Sequence, residues 1–181
     1  IPSEGQSGLV PSRALRELER LLGSAEEITL RLGEREASFE VGELRLTTRL
    51  IEGEFPNYRG LIPASHPNQL TVGRESLVEA VRRVKLMARE PNTPVRLAMS
   101  AEGLELVAIT QDVGQAHEQL DASYSGEELT VAFNPDYLLS GVEVSPGDEI
   151  TLYTVDAQKP AVIRAQGADD FLYLLMPVRV S

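Results

Sequence analysis

The hydrophobic and polar positions of the chain follow one pattern that recurs three times. Apolar residues at helical spacing predict helices over residues 12–23, over residues 74–90 and from Pro135 onward, where Asn134 is the expected N-cap. Three short runs of alternating apolar and polar residues follow each helix, which is typical of strands. The predicted strands are residues 27–32, 36–41, 44–51, 95–99, 104–109, 116–124, 149–155, 160–165 and 171–178.

The helices recur at a nearly constant interval, which indicates a supersecondary repeat. Leu15, Leu77 and Leu138 lie in the three helices about 60 residues apart, and a short apolar run precedes each helix. Each β-α-β-β-β unit is expected to give a one-sided sheet that a second unit must cover. The sequence therefore predicts an α+β fold in which residues 68–181 form a complete domain. Residues 1–67 would be half of another domain with its connector, and the remaining half is expected upstream.

The first and second helices each carry an apolar stripe and a basic stripe on separate faces. The apolar positions are Leu15, Leu18 and Leu22 in the first helix, and Leu77, Ala80, Val81, Val84, Met87 and Ala88 in the second. The basic positions are Arg13, Arg16 and Arg20 in the first helix, and Arg82, Lys85 and Arg89 in the second. We therefore expect each helix to bury one face and to expose a positive one.

The charge of the whole chain makes these positive faces noteworthy. The protein has a net charge of −11, yet the two helices hold nearly half of its basic residues and under a fifth of its acidic ones. A charged stripe on a helix is usually a solvated face, and it is also the pattern of a surface that meets a polyanion. The strongly negative total argues against tight, sequence-specific reading of nucleic acid but not against loose passage of DNA along a basic surface.

The composition favours a cytosolic binding protein over an enzyme. The chain has no cysteine, which excludes disulfides, thiolate metal sites and a cysteine nucleophile. His66 and His117 are not spaced as metal ligands, and the adjacent carboxylates lie beside turns without a partner base. No glycine-rich motif with a lysine is present to cradle a phosphate. We expect no catalytic residue, no metal and no cofactor, while a metal-dependent hydrolase or nuclease remains an alternative that a metal titration tests.

Three stretches carry a resemblance to a known family. They are IEGEFPNYRGLIP at residues 51–63, ASYSGEELTVAFNPDYLL at residues 122–139 and LYLLMPVRV at residues 172–180. In this order and spacing they resemble the bacterial DNA polymerase III beta subunit, the sliding clamp. The resemblance implies a three-domain subunit, of which this chain is the second half of the middle domain and the C-terminal domain. Two subunits would close head to tail into a ring, with helices lining the hole and antiparallel sheets outside.

The resemblance also implies a function without catalysis. A clamp holds duplex DNA topologically and tethers the polymerase III catalytic subunit, the clamp loader and other clamp-binding proteins at a bacterial, cytoplasmic replication fork. The basic stripes of both helices would face the DNA. Leu86 and Met87 would contact a second copy of the subunit. A β-rich peptide-binding scaffold that does not encircle DNA is the alternative, because it would share the repeat without using the basic stripes.

The resemblance further implies a pocket for short peptides of the type Gln-Leu-x-Leu-Phe. Its residues would be Pro56, Gly60, Leu61, Pro63, Tyr137, Pro160, Leu174, Leu175, Met176, Pro177, Val178 and Arg179. An apolar pocket with an adaptable methionine suits leucine and phenylalanine anchors. Gly60 departs from the basic residue that many members carry, so we expect one polar peptide contact to be missing. On periodicity alone, residues 172–180 could equally be an edge strand of the core.

Overall fold

The structure is a computed structural model, and it describes residues 7–23, 25–88, 93–110 and 114–179, with the backbone alone at Asp169. The chain divides into two compact units, Ile1–Asn57 and Tyr58–Ser181. Each unit is built from antiparallel strands and few helices, which confirms the predicted α+β class. Within the described residues, no helix is both long enough and apolar enough to cross a membrane.

In its described part, the first unit is one helix on a three-stranded sheet. Helix α1 (Ser12–Leu22) is followed by strands β1 (Thr29–Leu32), β2 (Glu36–Val41) and β3 (Leu44–Arg49), paired in the order β1-β2-β3. The sequence predicts all four elements, and Gly23 ends the helix at a positive φ of 46°. The small core lies between helix and sheet and consists of Leu18, Ala37, Phe39 and Val41, with Val10, Leu22, Leu32, Leu46 and Leu50 packed against it.

The buried face of α1 differs from the predicted one. Leu15, expected in the apolar stripe, is 46% exposed, whereas Ala14 is buried. Ala14 and Leu18 are four residues apart and therefore lie one above the other on the face that meets the sheet. Leu18 and Leu22 of the predicted stripe do pack in the core, and Ala14 takes the place expected for Leu15.

The described residues of the second unit form two helices and nine strands. After a short 3-10 turn, Tyr58–Leu61, come β4 (Asn68–Gly73), α2 (Arg74–Lys85), β5 (Val95–Ser100), β6 (Gly103–Thr110), β7 (Gly114–Leu120) and β8 (Ala122–Ser125). They are followed by β9 (Leu129–Phe133), α3 (Pro135–Glu143), β10 (Glu149–Thr154), β11 (Ala161–Ala165) and β12 (Ala168–Leu175). Helices α2 and α3 pack on each other, and a single hydrophobic core joins them to both sheets.

The strands of the second unit form two antiparallel sheets that exchange strands between the repeats. The five-stranded sheet has the order β12-β11-β10-β4-β8, and the four-stranded sheet has the order β7-β6-β5-β9. Strand β4, which precedes α2, pairs with β10 of the following repeat, and β9, which precedes α3, pairs with β5 of the earlier one. The prediction that each repeat forms a sheet of its own is therefore wrong for the two repeats of the second unit, whereas β1, β2 and β3 of the first repeat do form their own sheet. The exchange ties the two repeats into one domain through backbone hydrogen bonds.

One predicted strand is two strands in the structure. Residues 116–124 divide at Asp121 into β7 and β8, which belong to different sheets because β7 pairs with β6 and β8 with β4. The chain turns the corner between the sheets beside Gly103, where a Cβ would lie 2.8 Å from the Leu120 carbonyl oxygen. Strands that leave one sheet for another in this way form the corners of packed sheets.

Helix α2 ends earlier than predicted. Its regular hydrogen bonding stops at Lys85, and the N–H groups of Leu86, Met87 and Ala88 donate to carbonyls three residues back, as in a tightened last turn. The last two residues of the predicted helix, residues 89 and 90, lie outside the described residues. The core stripe over Leu77, Ala80, Val81 and Val84 is confirmed, because all four are buried, whereas Met87 and Ala88 are only half-buried.

Candidate functional site

The candidate site that matches the predicted pocket is a groove beside the first turn of α3. Its volume is about 490 Å³, within the range of sites that hold small ligands or short peptide anchors. One side is the start of α3, and the other is the end of β12 with the segment that follows it. The lining residues are Asn134, Tyr137, Tyr173, Leu174, Leu175, Met176, Pro177 and Val178.

The start of α3 is fixed by its capping residues. The side-chain oxygen of Asn134 accepts hydrogen bonds from the N–H groups of Asp136, at 2.8 Å, and Tyr137, at 3.3 Å. Pro135 occupies the first helical position, where it needs no hydrogen-bond partner for its nitrogen. This cap, which the sequence predicts, leaves Tyr137 62% exposed at the rim of the groove.

Two hydrogen bonds hold β12 and the segment after it against their neighbours. The N–H of Val178 donates to the Ala132 carbonyl on β9 at 2.8 Å. The hydroxyl of Tyr173 donates to the carbonyl of Tyr137 at 2.9 Å, which joins β12 to the first turn of α3. Burial, and then the neighbouring Tyr137, raises the pKa of Tyr173, so this hydroxyl keeps its proton and remains a donor.

The ring of Tyr173 lies against α3 only because residue 141 is glycine. A Cβ on Gly141 would lie 2.4 Å from Cδ1 and 2.6 Å from Cε1 of that ring. The glycine therefore allows the strand and the helix to approach closely enough for the Tyr173 hydroxyl to reach Tyr137. Sequence reasoning treats Gly141 as an ordinary helix position.

The surface chemistry of the groove suits apolar side chains. Leu175 is buried and lies at its base, while Met176, 53% exposed, lies at its rim with Tyr137. Leu174, Pro177 and Val178 are half-buried between them. A groove with a buried leucine and a flexible methionine can take leucine or phenylalanine anchors of more than one shape.

The structure brings together half of the predicted pocket residues. Tyr137, Leu174, Leu175, Met176, Pro177 and Val178 line the groove, and the remaining predicted residues of the second unit, Gly60, Leu61, Pro63, Pro160 and Arg179, are not among its lining residues. Gly60 and Leu61 are exposed at the 3-10 turn, and Pro63 is half-buried after it. Pro160 directly precedes β11, whose first residue Ala161 pairs with Leu175. Pro56 is exposed in the first unit.

Sequence reasoning missed two lining residues. Asn134 was identified as a helix cap, and Tyr173 as one position of a strand. The signal for both was their place within the stretches FNPDYL and LYLLMP, directly beside predicted pocket residues. Their contribution depends on how α3 and β12 meet, which a pattern along one element does not contain.

The predicted basic stripe of α1 is exposed to solvent. Arg13, Arg16 and Arg20 all lie on the exposed side of the helix. Arg20 contacts Glu17 one turn earlier at 3.0 Å, with the arginine side chain 76% exposed. Within the described part of the first unit, neither Arg13 nor Arg16 is in an ion pair.

The predicted basic stripe of α2 is paired with carboxylates of α3. Arg82 donates to Glu143 at 2.9 Å, and Lys85 donates to Asp136. Arg89, the third predicted position, lies outside the described residues. Sequence reasoning found the cations and missed their partners, because Asp136 and Glu143 lie more than 50 residues further along the chain.

The two predicted interface residues lie just after α2. Leu86 is 74% exposed, and Met87 is half-buried. The Met87 carbonyl accepts a hydrogen bond from the Thr110 hydroxyl, which fixes the turn against β6. Leu86 is therefore presented outward from an anchored segment.

The histidines are separate from each other and from the groove. His66 packs edge-on against the ring of Tyr153, with ring centres 5.4 Å apart, and desolvation, followed by the charge of Arg164, lowers its pKa. His117 contacts Glu105 at 3.1 Å on the four-stranded sheet. Among the described residues, no three histidine or carboxylate side chains are placed to hold a metal ion.

Two family models match the chain, and their boundary falls at the division between the units. The central domain of the DNA polymerase III beta subunit matches residues 2–57, and the C-terminal domain of the same subunit matches residues 59–179. The chain belongs to the DNA polymerase III beta subunit family. The residues of the groove and of α2 and α3 therefore lie within the family's C-terminal domain.

Relatives of this family match the chain over nearly its whole length. The beta sliding clamp of Streptomyces coelicolor is 36% identical over 191 residues, covering 99% of this chain and 50% of that protein. The beta sliding clamp of a Synechocystis strain is 34% identical over 176 residues, covering 94% of this chain and 45% of that protein. The chain spans about half the length of the curated relatives that it matches.

Solved structures of beta subunits have the same fold. A sliding clamp from Bartonella birtlesii, solved bound to griselimycin, superposes with a TM-score of 0.85 at 34% identity, covering 99% of this chain and 50% of that one. A polymerase sliding clamp from Caulobacter crescentus has a TM-score of 0.84 at 30% identity, covering 99% of this chain and 50% of that one. These similarities confirm the predicted clamp-type fold.

Proposed function

We propose that this chain serves as part of a DNA sliding clamp, a processivity factor without catalytic activity of its own. In this role a ring of two copies of the whole subunit encircles duplex DNA and tethers a polymerase to it. Tethering raises the effective concentration of the polymerase at the primer end without any new catalytic contact. The family membership and the names of the relatives support the proposal.

The observation that carries this proposal is the groove at α3. Its exposed methionine and tyrosine at the rim and its buried leucine at the base offer a site for a short peptide with apolar anchors. The partners we propose are the clamp-binding segments of the polymerase III catalytic subunit, of the clamp loader and of other proteins. We propose the cytoplasmic replication fork as the place where these partners meet.

Some proposed pocket residues rest on the resemblance alone. We propose that Pro56, Gly60, Leu61, Pro63, Pro160 and Arg179 flank the peptide when it is bound. Gly60 supplies no side chain, so the peptide would lack a polar contact at that point. Gly60→Lys or Gly60→Arg tests this. The new cation should supply the missing polar contact and so strengthen binding of a peptide that carries a carboxylate.

We further propose that residues 1–67 are the second half of a middle clamp domain with its connector, and residues 68–181 a complete C-terminal domain. The family models support two domains, but they divide the chain between residues 57 and 59 and so place residues 59–67 with the C-terminal domain. The first unit also leaves an apolar surface open, formed by Leu9, Leu15, Leu30, Leu32 and Ile51. A surface of this kind is what half of a domain presents before its other half covers it.

The DNA and subunit contacts complete the proposal. Arg13, Arg16, Arg20, Arg82, Lys85 and Arg89 would face the DNA with weak phosphate contacts, which permit sliding and carry no base recognition. Leu86 and Met87 would contact the second copy of the subunit. Leu86 is 74% exposed, and its side chain is therefore accessible to a partner.

A fluorescence-anisotropy titration tests the groove. A labelled Gln-Leu-x-Leu-Phe peptide is titrated with the chain and with its Met176→Asp variant. We expect saturable binding that the variant weakens roughly tenfold or more, because a carboxylate would replace the apolar rim. Val144→Asp is the matched control, since Val144 is 66% exposed but lies at the far end of α3. An equal loss of peptide affinity in Met176→Asp and Val144→Asp, or no loss in either, would mean that the peptide binds outside the groove.

A peptide-binding scaffold that does not encircle DNA is the second candidate. The observation that favours it is the pairing of Arg82 and Lys85 with carboxylates of α3, because these carboxylates offset the positive charge of α2. Neutralising Arg13, Arg16 and Arg20 to glutamine separates the two candidates. A clamp should bind duplex DNA more weakly after this change and keep its peptide affinity, whereas a scaffold should show no change in either.

A further inference from the structure

The ion pairs between α2 and α3 lie on the surface and share one arrangement. Arg82 and Glu143 are 62% and 42% exposed, and Lys85 and Asp136 are 38% and 64% exposed. Together with Leu86, Leu139 and Ser140, these four side chains line one shallow depression between the helices. Arg82 and Lys85, the two described cations of the predicted stripe of α2, therefore each have a carboxylate beside them.

The charges of the two helices balance over the described residues of α2 and α3. Helix α2 carries an excess of basic groups, and α3 carries acidic groups alone. Counted together, the two helices have as many carboxylates as basic groups. The first unit differs, because α1 retains a small positive excess. The DNA-facing charge predicted from α2 alone is thus cancelled once the fold places α3 next to it.

We propose that Asp136 and Glu143 compete with DNA phosphates for Arg82 and Lys85. By holding these two cations in exchangeable ion pairs, they keep the DNA contacts of α2 weak. The inference rests on the proposed function, because it assumes that this face meets duplex DNA. It assigns to two acidic residues of α3 a role in setting the strength of that contact.

The physical basis is a choice between two oxyanions for each cation. A phosphate that approaches Lys85 must replace the Asp136 carboxylate or share the ammonium group with it. The free carboxylate left behind then repels the DNA, so each contact yields less than a lone lysine would. Exposed ion pairs are weak and exchange with solvent readily. The cations are therefore held in position without being locked away from DNA.

The chain supplies a matched control on another face. Arg83, on the neighbouring side of α2, makes a bidentate pair with Glu118 of β7, at 2.8 and 3.1 Å. Glu105 of β6 contacts His117. Replacing Glu105 and Glu118 by glutamine changes the total charge as much as replacing Asp136 and Glu143 does. It leaves the pairs of Arg82 and Lys85 intact.

The test is a titration of a fluorescein-labelled DNA duplex with the chain at several salt concentrations. The variants are Asp136→Asn/Glu143→Gln, the control Glu105→Gln/Glu118→Gln, and Arg82→Gln/Lys85→Gln. We expect the first to bind DNA roughly three- to tenfold more tightly than the control. The slope of its log affinity against log salt concentration should be more negative by about 1 to 2, because each added phosphate contact contributes about −0.9 to that slope.

Each outcome decides the proposal. Equal gains in the first variant and the control, with weaker binding after Arg82→Gln/Lys85→Gln, would overturn the competition and leave the DNA-facing role of α2 standing. Unchanged DNA affinity in all three variants would overturn both the competition and the DNA-facing role of α2. Asp136 lies in the first turn of α3, so Glu143→Gln alone is the second variant if the double change lowers the unfolding temperature. Glu143→Gln alone should still bind the duplex more tightly than Glu118→Gln does, and its affinity should depend more steeply on salt concentration.

Discussion

Gly141 and Tyr173 show how a single residue can shape the groove. The Tyr173 ring lies where a side chain at residue 141 would be, and its hydroxyl donates to Tyr137. The glycine thus sets the distance between β12 and α3. It does so inside a helix, where glycine is otherwise unfavourable by about 0.5–1 kcal/mol relative to alanine.

Gly141→Ala should therefore destabilise the protein although it improves helix propensity. We expect a loss of about 1–3 kcal/mol in the free energy of unfolding, because the added methyl displaces the Tyr173 ring. Peptide affinity should fall severalfold as Tyr137 moves with it. Urea unfolding and peptide anisotropy measure the two effects. Ser140→Ala is the control at the neighbouring exposed position, and a stabilised Gly141→Ala variant would contradict this account.

His66 predicts a dependence of stability on pH. Desolvation, together with the charge of Arg164, lowers its pKa in the folded state, and its Nε2 is buried without a hydrogen-bond partner among the described residues. The unfolded chain therefore binds the proton more readily than the folded one. Stability is full above the ordinary histidine pKa of 6.5 and declines as the pH falls below it.

Urea unfolding of the wild type and of His66→Gln between about pH 7.5 and pH 5 tests this dependence. The decline should be smaller in His66→Gln, since no proton can then bind at residue 66. It should persist in His117→Gln, because the desolvated histidine is still present. If His66→Gln declines as steeply as the wild type, another group causes the pH dependence.

The sequence predicts single residues well where the signal is local. The cap of Asn134 and Pro135 is confirmed, because capping depends on neighbours within three residues. The carboxylate partners of Arg82 and Lys85 were missed, as was the contact of Gly141 with Tyr173. Both join elements that are distant in sequence, so periodicity along one helix carries no information about them.

At the scale of elements, the exchange of β4 and β9 holds the second unit together. Strand β4 lies between β10 and β8, so its backbone pairs on both sides with strands from different parts of the chain. Leu70, on β4, is fully buried in the common core. The strand therefore links the two repeats by hydrogen bonding and by packing.

Leu70→Ala should cost about 2–5 kcal/mol of unfolding free energy, as expected for a buried leucine. Because the core is shared, both sheets should lose protection from hydrogen exchange together. Leu44→Ala is the control, since Leu44 is exposed at the start of β3, and it should cost under about 0.5 kcal/mol. Loss of protection confined to β4 and its two neighbours would contradict a single cooperative core.

Element positions were more predictable than element pairing. Alternation predicts the strands of the first unit closely, and β2 has the predicted bounds. Two features could not be read from alternation, namely the exchange of β4 and β9 and the division at Asp121. Both depend on which strands meet, and an alternating strand fits either sheet equally well.

At the scale of the whole molecule, charge is distributed unevenly between the helices. The exposed arginines of α1 contrast with the paired cations of α2. Charge counted along the sequence assigned both helices to a positive surface. Only the folded arrangement, in which α3 supplies Asp136 and Glu143, shows that α2 is neutralised.

Peptide binding in the groove at α3 is the central claim, and the three methionines of the chain allow one decisive measurement of it. Met176 lies at the groove rim, Met99 is buried in the core, and Met87 follows α2. The chain carrying ¹³C-methyl methionine is titrated with the Gln-Leu-x-Leu-Phe peptide and observed by NMR. The account predicts that the Met176 methyl signal shifts to saturation while the other two stay in place. Saturable binding that shifts Met87 and leaves Met176 unchanged would contradict it.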